Sequence, residues 1–587
     1  MSLRTFPPSQ MVSTSSVSDE RTPLMRSASA KNNQSSGQCV QSPAQIHLPS
    51  QSFRCRIICI LLIVILERVT FYGLLANLLP FLINWIGLSQ SVSIAVVFTF
   101  TGLAWLMSTI GGIIGDSYSG RYNAVYGSLL IYIVGVGTVL AAALFSELKL
   151  GESSFYQPLA LVALIIISVG EGAYKANVTA FGGDQLQAGD DTKYRQFFNW
   201  YYWSINIAAF TAYIAIAYVE QNITRGFCYG FGILFICIFL ACITLCVQRS
   251  VYVCHPPTGH IVRKVYNIIK EARHRKREQS SWDRTGQYFP GYEEQMPMKS
   301  WLDYAMMKYG GSYLDTDVEE VKTIARVMLI FATLVPYWTI YFQMNSTFLL
   351  QGLHMILQVD LNTTDTSTLK WNIVPAWLNL ADVCFVLMLI PIMDKIVYPW
   401  LDKKGWRLSV FKRISIGFLF AMGSMIVAGI VEIERRDRAE RGESHYCINQ
   451  TISNQTYYAC LPIYYQIPQY GLIGISEVFA SVAALEFAYK EAPKTMQSFV
   501  MGLFFFVQSA GSLLGGALFV LCSLGKRPWT PKMIQEDRPK IFKLNVDLKY
   551  YFFLLAGILL FTWIIFLSIT LRFKCSLINQ TRKGRFM

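Results

Sequence analysis

The stretch GGIIGDSYSGR at residues 111–121 lies between two long apolar runs, at 92–115 and 122–146. Its glycines allow a tight turn, and Asp116 and Arg121 can cap or bridge the ends of the flanking helices. A run of about 20 apolar residues is long enough to cross a hydrocarbon core of roughly 30 Å as a helix. The stretch therefore predicts two membrane-spanning helices joined by a charged turn.

Similar runs continue along the whole chain. The sequence is 53% hydrophobic and 15% charged, with a mean hydropathy of +0.36, which exceeds what one soluble core could bury. About twelve runs are long enough to span a bilayer. They fall at 55–85, 92–115, 122–146, 157–177, 198–219, 227–247, 323–350, 371–397, 410–432, 463–489, 497–523 and 549–572. We therefore predict an all-α polytopic membrane protein with twelve transmembrane helices.

The runs form two groups of six, separated by a charged stretch, which is typical of two six-helix bundles in the major facilitator fold. The predicted segments are a disordered cytosolic N-terminal tail (1–52), an N-terminal bundle (53–247), a cytosolic linker (248–322), a C-terminal bundle (323–573) and a cytosolic C-terminal tail (574–587).

The distribution of charge predicts an orientation. The net charge is +14, but no basic face with interleaved aromatic residues occurs, so we predict no nucleic-acid partner. Most basic loops beside the spans face one side if both termini are cytosolic. Two late loops, Arg435 to Arg441 and Lys526 to Lys543, are exceptions.

Four glycosylation sequons fall on the opposite, lumenal or outer side. The predicted sites are Asn222, Asn362, Asn449 and Asn454. Cys447 and Cys460 bracket the last two in an oxidising loop, which predicts a disulfide between them.

Two further segments indicate partners. In the N-terminal tail, Glu20 lies four residues before Leu24 and Met25, a pattern similar to an acidic dileucine signal for sorting adaptors, with a chance match as the alternative. In the linker, basic and apolar residues alternate at helical spacing from Arg263 to Arg277. This predicts a helix lying on anionic membrane lipids or, alternatively, a solvated spacer.

Ionisable side chains inside the spans are candidate functional residues, because each costs about 2.5–3.5 kcal/mol to insert. They are Glu67 and Arg68 in the first span, Glu171 and Lys175 in the fourth, Asp382 in the eighth and Glu477 in the tenth. Since adjacent residues point in different directions on a helix, we expect Glu67 and Arg68 not to face each other. Glu171 and Lys175 share a face and can neutralise each other.

Signals of enzymatic chemistry are missing from the sequence. It contains no P-loop, nucleophile elbow or metal-ligand spacing, and its six histidines are scattered. We therefore predict no enzyme, no metal site and no cofactor.

Several motifs are shared with one carrier family. Besides residues 111–121 they are FNWYYWSIN at 198–206, KAN at 175–177 followed by FGGDQ at 181–185, PYWTIYFQM at 336–344, and QIPQY at 466–470 with Glu486-Phe487. From about residue 54 to residue 572 the chain resembles a proton-coupled oligopeptide transporter of the major facilitator superfamily, and most closely the peptide/histidine subgroup.

The resemblance implies roles for individual residues. Arg68, Lys175 and Asn206 would contact the carboxylate side of a peptide, and Glu477 its amino group. Other residues would line the substrate cavity, form the loop signature or pair in a gate. They are Tyr72, Trp105 and Trp338 for the cavity, Gly112, Asp116, Gly120 and Arg121 for the loop, and Arg326 with Asp394 for the gate.

The sequence also departs from the family pattern. The family's first-helix motif carries two glutamates before the arginine, and here Val64 occupies the first position. Asp382 replaces a usual asparagine, and Glu171 is an additional acid. We hypothesise that protons are the coupling ion and that Glu67, Glu171 and Asp382 share the proton-linked work with Glu477.

The leading prediction is a proton-coupled symporter of histidine and di- or tripeptides that exports cargo from the endolysosomal lumen to the cytosol. The plasma membrane is the alternative location. A transporter-like sensor or scaffold that binds cargo and recruits a cytosolic signalling adaptor is the alternative function, and a facilitator of nitrate or another anion is a third.

Overall fold

The computed structural model describes residues 50–583 with several gaps. These are 149–152, 187–190, 255, 258, 260, 286–299, 362–368, 407, 442–446, 453–454, 493–496, 525–527 and 531–546. The sorting pattern of Glu20, Leu24 and Met25 and the sequons at Asn362 and Asn454 lie outside the described residues, so these predictions are untested.

Six long helices form the N-terminal bundle. They are α1 (Ser50–Ala76), α2 (Gln90–Ile114), α3 (Arg121–Glu147), α4 (Ser153–Asp184), α5 (Asp191–Thr211) and α6 (Gly226–Val247). Short turns extend three of them: Leu78–Pro80 and Phe81–Trp85 after α1, Gly115–Ser119 after α2, and Ala212–Ile216 with Ala217–Asn222 after α5. Helix α6 buries Phe231 and Leu234 but exposes Ile236 and Phe239, as expected of a helix with a lipid-facing side.

The C-terminal bundle has six further helices. They are α7 (Asp315–Tyr341), α8 (Asn379–Ile392), α9 (Val410–Arg441), α10 (Ile467–Glu491), α11 (Gln497–Ser523) and α12 (Leu548–Lys583). Helical turns precede or follow some of them: Thr347–Leu353 after α7, Pro375–Leu378 before α8, and Ile463–Gln466 before α10.

The predicted eighth span, 371–397, is helical from Asn379 onward. Eleven other helices among the described residues are long and apolar enough to cross a membrane. Helix α8 contains Pro391 and passes into a π turn, Met393–Val397, and a short helix, Tyr398–Lys403. The helical conformation thus continues past Pro391 as far as Lys403. The chain is a multi-pass helical membrane protein.

Two small β-hairpins lie at one end of the bundles. Strand β1 (Gln358–Leu361) pairs antiparallel with β2 (Leu369–Asn372), and β3 (Ile448–Ile452) with β4 (Gln455–Ala459). Cys447 and Cys460 form a disulfide that closes the second hairpin. We call this end of the molecule the distal face, and the end where α1 begins the proximal face.

The linker contains a helix, Ile261–Thr285, whose apolar side is covered by the chain itself. Val265, Ile268 and Ala272 are buried in one cluster with Leu302 and Ala305 from the second half of the linker. These three residues are covered by protein, whereas Tyr266 and basic residues such as Arg263 and Lys270 are exposed. The contact of this helix with anionic lipids stays a prediction.

The two bundles meet along α2 and α11. The hydroxyls of Thr101 and Ser512 are 2.6 Å apart, and the Thr109 hydroxyl donates to the backbone carbonyl of Gly502 at 2.8 Å. At the distal face the rings of Tyr218 and Trp377, from different bundles, stack with centroids 6.4 Å apart. The bundles are thus in contact along α2 and α11 and also at the distal face.

Candidate functional site

Arg68 is the centre of a buried charge cluster in the N-terminal bundle. Its Nε and Nη2 donate to both carboxylate oxygens of Glu67 at 2.7 and 2.8 Å. Nη2 also donates to Glu171 on α4 at 2.9 Å. The expectation that Glu67 and Arg68 cannot face each other is wrong, because both long side chains bend into the same space between α1 and α4. One guanidinium therefore joins two carboxylates.

Lys175 completes this cluster from one helical turn beyond Glu171. Its ammonium is 3.9 Å from the Glu171 carboxylate and 3.0 Å from the centre of the Trp105 ring. The local Glu171–Lys175 pair is therefore a long contact, and Arg68 is the closer partner of Glu171. An ammonium over an indole face is stabilised without a matching anion, so Lys175 keeps the capacity to bind one.

The cluster contains two carboxylates and two cations and is neutral when all four are ionised. The second Glu171 oxygen and the hydroxyls of Tyr132 and Tyr174 are buried without a hydrogen-bond partner among the described residues. Both tyrosines interact electrostatically with Glu67. Neither tyrosine was predicted as a site residue, because a functional tyrosine in an apolar span looks the same in the sequence as a tyrosine that only packs in the core.

A second acidic pair lies in the C-terminal bundle. The Tyr341 hydroxyl is hydrogen bonded to the Glu477 carboxylate, and Asp382 interacts electrostatically with Glu477. Oδ1 of Asp382 is buried without a partner, and neither acid has an ion pair within the part of the chain that the structure describes. This bundle therefore contributes two acids without a cationic partner to the central region, whereas the Arg68 cluster contains two cations beside its two acids.

Aromatic side chains connect the two charged regions. Trp105 lies 6.4 Å from the Phe342 ring and 5.6 Å from the Phe505 ring, both in the opposite bundle. Tyr72 on α1 interacts electrostatically with Arg68 and also with Glu477. Tyr72 therefore lies within electrostatic range of both the cationic and the acidic residues.

Two other residues that the family resemblance assigns to substrate contact, Asn206 and Trp338, are buried within the protein. The Asn206 amide donates to the backbone carbonyl of Tyr202 at 2.8 Å. Trp338 is buried among aromatic rings, with the ring of Tyr341 5.2 Å away, and its indole N–H has no partner among the described residues. Trp338 thus supports Tyr341, which itself holds Glu477.

The loop after α2 forms a network of ion pairs on the proximal face. Arg121 donates to Asp116 at 3.0 Å and to Asp184 at the end of α4 at 2.6 Å. Gly120 has a φ of 75°, a left-handed conformation that favours glycine. Gly112 lies against α4, where a Cβ atom would be 3.4 Å from that of Ala176. The loop was predicted from the sequence, but Asp184 was not predicted as the second partner of Arg121.

The fold and these clusters match one family of carriers. The sequence model described as the POT family matches residues 122–530. The chain belongs to the POT family. The resemblance inferred from the sequence motifs is thereby confirmed.

Two relatives of the POT-family chain cover most of its length. Solute carrier family 15 member 3 of Rattus norvegicus is 33% identical over 555 residues, covering 88% of this chain and 91% of that protein. Protein NRT1/ PTR FAMILY 8.1 of Arabidopsis thaliana is 27% identical over 551 residues, covering 86% and 91%. The family and the first of these relatives are carriers rather than enzymes.

A solved structure shows the same fold. The POT family transporter PepTSo superimposes with a TM-score of 0.67 at 23% identity, covering 89% of this chain and 98% of its own. Two bundles of spanning helices are therefore the architecture of the POT-family chain.

The structure describes only some residues of the predicted gate pair and glycosylation sites. Arg326 donates to the Thr323 hydroxyl at 3.0 Å, and the side chain of Asp394 lies outside the described residues, so the gate pair is untested. Asn222 is exposed at the end of a helix, and Asn449 lies on β3. No group of three or more His, Cys, Asp or Glu residues that could hold a metal ion occurs among the residues searched.

Proposed function

We propose that this POT-family protein is a proton-coupled symporter of small zwitterions, namely di- or tripeptides and histidine. The observation that carries the proposal is that Arg68 and Lys175 belong to one bundle, whereas Asp382 and Glu477, which have no ion pair among the described residues, belong to the other. Tyr72 lies within electrostatic range of both Arg68 and Glu477, which supports a shared space. A peptide with a free carboxylate and a free ammonium complements that distribution of charge.

Each end of the cargo has a partner in this proposal. Lys175, Arg68 and Asn206 bind the carboxylate, and Glu477 binds the ammonium while Tyr341 holds its carboxylate in place. Trp105 forms an aromatic wall beside Lys175. Such a wall contacts side chains of different shapes without a specific hydrogen bond, which suits a carrier of many peptides.

Proton coupling follows from the neutral cluster around Arg68. A proton on Glu171 or Glu67 removes one negative charge and leaves a net positive cluster, which attracts the cargo carboxylate. Asp382 and Glu477 provide the proton sites on the other bundle. One pH unit supplies about 1.4 kcal/mol per proton, and 100 mV about 2.3 kcal/mol per charge, so either can drive roughly tenfold accumulation or more.

The direction of transport depends on orientation. We place the proximal face in the cytosol and the distal face, with its hairpins, disulfide and sequons, in the lumen of an endolysosomal compartment. The two bundles would rock about the central site, and cargo would leave the lumen down the proton gradient. The distal contacts, including Tyr218 against Trp377, then belong to the lumen-closed state. The plasma membrane is the alternative location.

Uptake into proteoliposomes tests the proposal. Labelled histidine and a labelled dipeptide should accumulate with an inward proton gradient, and a protonophore should abolish the accumulation. Lys175→Ala and Glu477→Gln should each remove it, whereas Lys276→Ala, which changes an exposed lysine of the linker helix, should not. Unchanged uptake after Gln or Asn replacement at all but one of Glu67, Glu171, Asp382 and Glu477 would refute the shared proton role.

A second function is favoured by one departure in α1. Val64, which occupies a position where the family carries an acid, is buried at 1% exposure and offers no proton site. A sensor or scaffold that binds cargo and recruits a cytosolic adaptor needs no coupling of cargo movement to protons, whereas a symporter does. It predicts cargo binding without gradient-driven accumulation in the same vesicles. An exclusively anionic cargo such as nitrate is disfavoured by Glu477 and Asp382.

A further inference from the structure

Five thiols gather at the proximal ends of α1 and α6. These helices pack against each other and run in opposite directions, so the start of α1 lies beside the end of α6. The cysteines are Cys55 and Cys59 on α1, Cys242 and Cys246 on α6, and Cys254 just beyond it. The Gln248 amide, which follows α6, donates to the Cys55 sulfur at 3.7 Å. The group is thus one feature of the fold rather than separate residues.

Two of these cysteines each lie at the proximal end of an exposed apolar stripe, one on α1 and one on α6. On α1, Cys55 is exposed on the same side as Ile58 and Leu62, which are 63% and 43% exposed. This side is opposite to the buried residues Ile60 and Val64. The spacing of three and seven residues keeps the exposed side chains on one face of the helix.

Helix α6 has a matching stripe. Cys246 is exposed one turn beyond Ile243 and two turns beyond Phe239, which are 43% and 49% exposed. An apolar residue exposed in a spanning helix faces lipid. Cys55 stands between Arg54 and Arg56 near the start of α1, and Cys246 is the last residue but one of α6. Both thiols therefore lie where the lipid-facing surface meets the proximal aqueous phase.

We propose that Cys55 and Cys246 are sites of reversible S-acylation by a long-chain fatty acid. Membrane-boundary cysteines of this kind are typical acceptors of palmitate. The attached chain would extend from each sulfur along the exposed stripe below it, so it would enter the leaflet without displacing packed side chains. The inference goes beyond transport and uses the proposed cytosolic position of the proximal face.

The chemistry is a thioester exchange. The cysteine thiolate attacks the carbonyl carbon of a long-chain acyl-coenzyme A, a new carbon–sulfur bond forms, and the bond to coenzyme A breaks. Coenzyme A leaves as a thiolate and takes up the proton released by the cysteine, so no oxidant or reductant is needed. A cellular acyltransferase supplies the catalysis. The disulfide Cys447–Cys460 lies at the opposite, distal face.

Thioester capture from cells tests the proposal on the full chain. Free thiols are blocked, thioesters are cleaved with hydroxylamine, and the newly exposed thiols are captured. The unaltered chain should be captured only after hydroxylamine, and the double variant Cys55→Ser, Cys246→Ser should lose that capture. Cys228→Ser is the matched control, because Cys228 lies at the distal end of the same α6, and it should retain capture.

Two outcomes would overturn the proposal: no hydroxylamine-dependent capture from the unaltered chain, or undiminished capture from the double variant. If the double variant fails to fold, mass spectrometry of the unaltered chain decides, by an acyl group found on Cys55 or Cys246 or by its absence from both. Reconstituted, unacylated protein still reports on transport, so failure of this inference leaves the proposed function separately testable.

Discussion

At the scale of single residues, Arg68 is central because it binds two carboxylates from different helices. Helical geometry places Glu67 and Arg68 about 100° apart, which suggests separate partners. The long arginine side chain overrides that separation and forms two hydrogen bonds with its neighbour. The ionisable residues themselves could be identified from sequence because charge in a span is costly. Their pairing could not, since it depends on where α4 presents Glu171.

Replacing Glu171 by Gln tests this cluster. The change removes one charge from a buried network, and breaking such a pair costs about 3 kcal/mol or more. We expect a lower midpoint of thermal unfolding in detergent and loss of proton-driven uptake. Glu434→Gln is the control, because its partner Arg438 is a surface residue and exposed pairs contribute less than about 1 kcal/mol. Equal losses of stability in the two variants would contradict the assignment of Glu171 to a buried network.

His354 at the distal face predicts a dependence on lumenal pH. Its ring is 3.4 Å from the Gln90 amide of the other bundle. Burial, and secondly the charge of Arg435, lowers the pKa of His354 from 6.5 to about 4, while Glu432 raises it. A solvated His354 in an open state would keep its ordinary pKa and take up a proton more readily. The closed state therefore loses relative stability as pH falls from 6.5 towards 4, by about 2 kcal/mol at pH 5.

Spin labels on Tyr229 and Tyr464 can measure this opening, because both side chains are exposed near the distal face and belong to different bundles. With the free cysteines replaced, their separation should increase between pH 7 and pH 5. His354→Gln, which cannot take up a proton in this range, should weaken the increase. The same pH response in His354→Gln would show that another group controls the opening.

At the scale of helices, α8 and α10 approach closely where the acidic pair lies. A Cβ atom at Gly474 would be 2.9 Å from the Asp382 backbone oxygen and 3.0 Å from its carboxylate. Glycine at this position therefore allows Asp382 and Glu477 to share one site. The apolar run predicted the eighth span, but periodicity does not reveal how closely this helix packs against α10.

Gly474→Ala tests the close approach of α8 and α10. The added methyl group must push Asp382 away, so we expect weaker peptide binding and slower uptake although alanine favours helix by about 1 kcal/mol. Gly557→Ala on α12 is the control, because no atom lies within 4 Å of the added Cβ. Peptide affinity should fall in the first variant and not in the second. Full affinity in Gly474→Ala would mean that the spacing of α8 and α10 does not matter for cargo.

At the scale of the whole molecule, hydrophobic length and loop charge were sufficient to predict two bundles and a linker, because lipid imposes a strong pattern on sequence. The same pattern does not reveal that Val265, Ile268 and Ala272 of the linker helix are buried in one cluster with Leu302 and Ala305. Which cations and acids face one another across the bundles was implied by family motifs alone. The long-range interactions of Tyr72 with Arg68 and Glu477 depend on tertiary packing.

The central claim is that opposite bundles bind opposite ends of one zwitterion. The most direct measurement is the affinity of a dipeptide, its N-acetylated form and its C-amidated form for the unaltered protein, Lys175→Ala and Glu477→Gln. Both modifications should weaken binding to the unaltered protein. Glu477→Gln should no longer distinguish the acetylated form, and Lys175→Ala should no longer distinguish the amide. If each variant still discriminates against both modified peptides as the unaltered protein does, the two charged clusters do not bind the ends of the cargo.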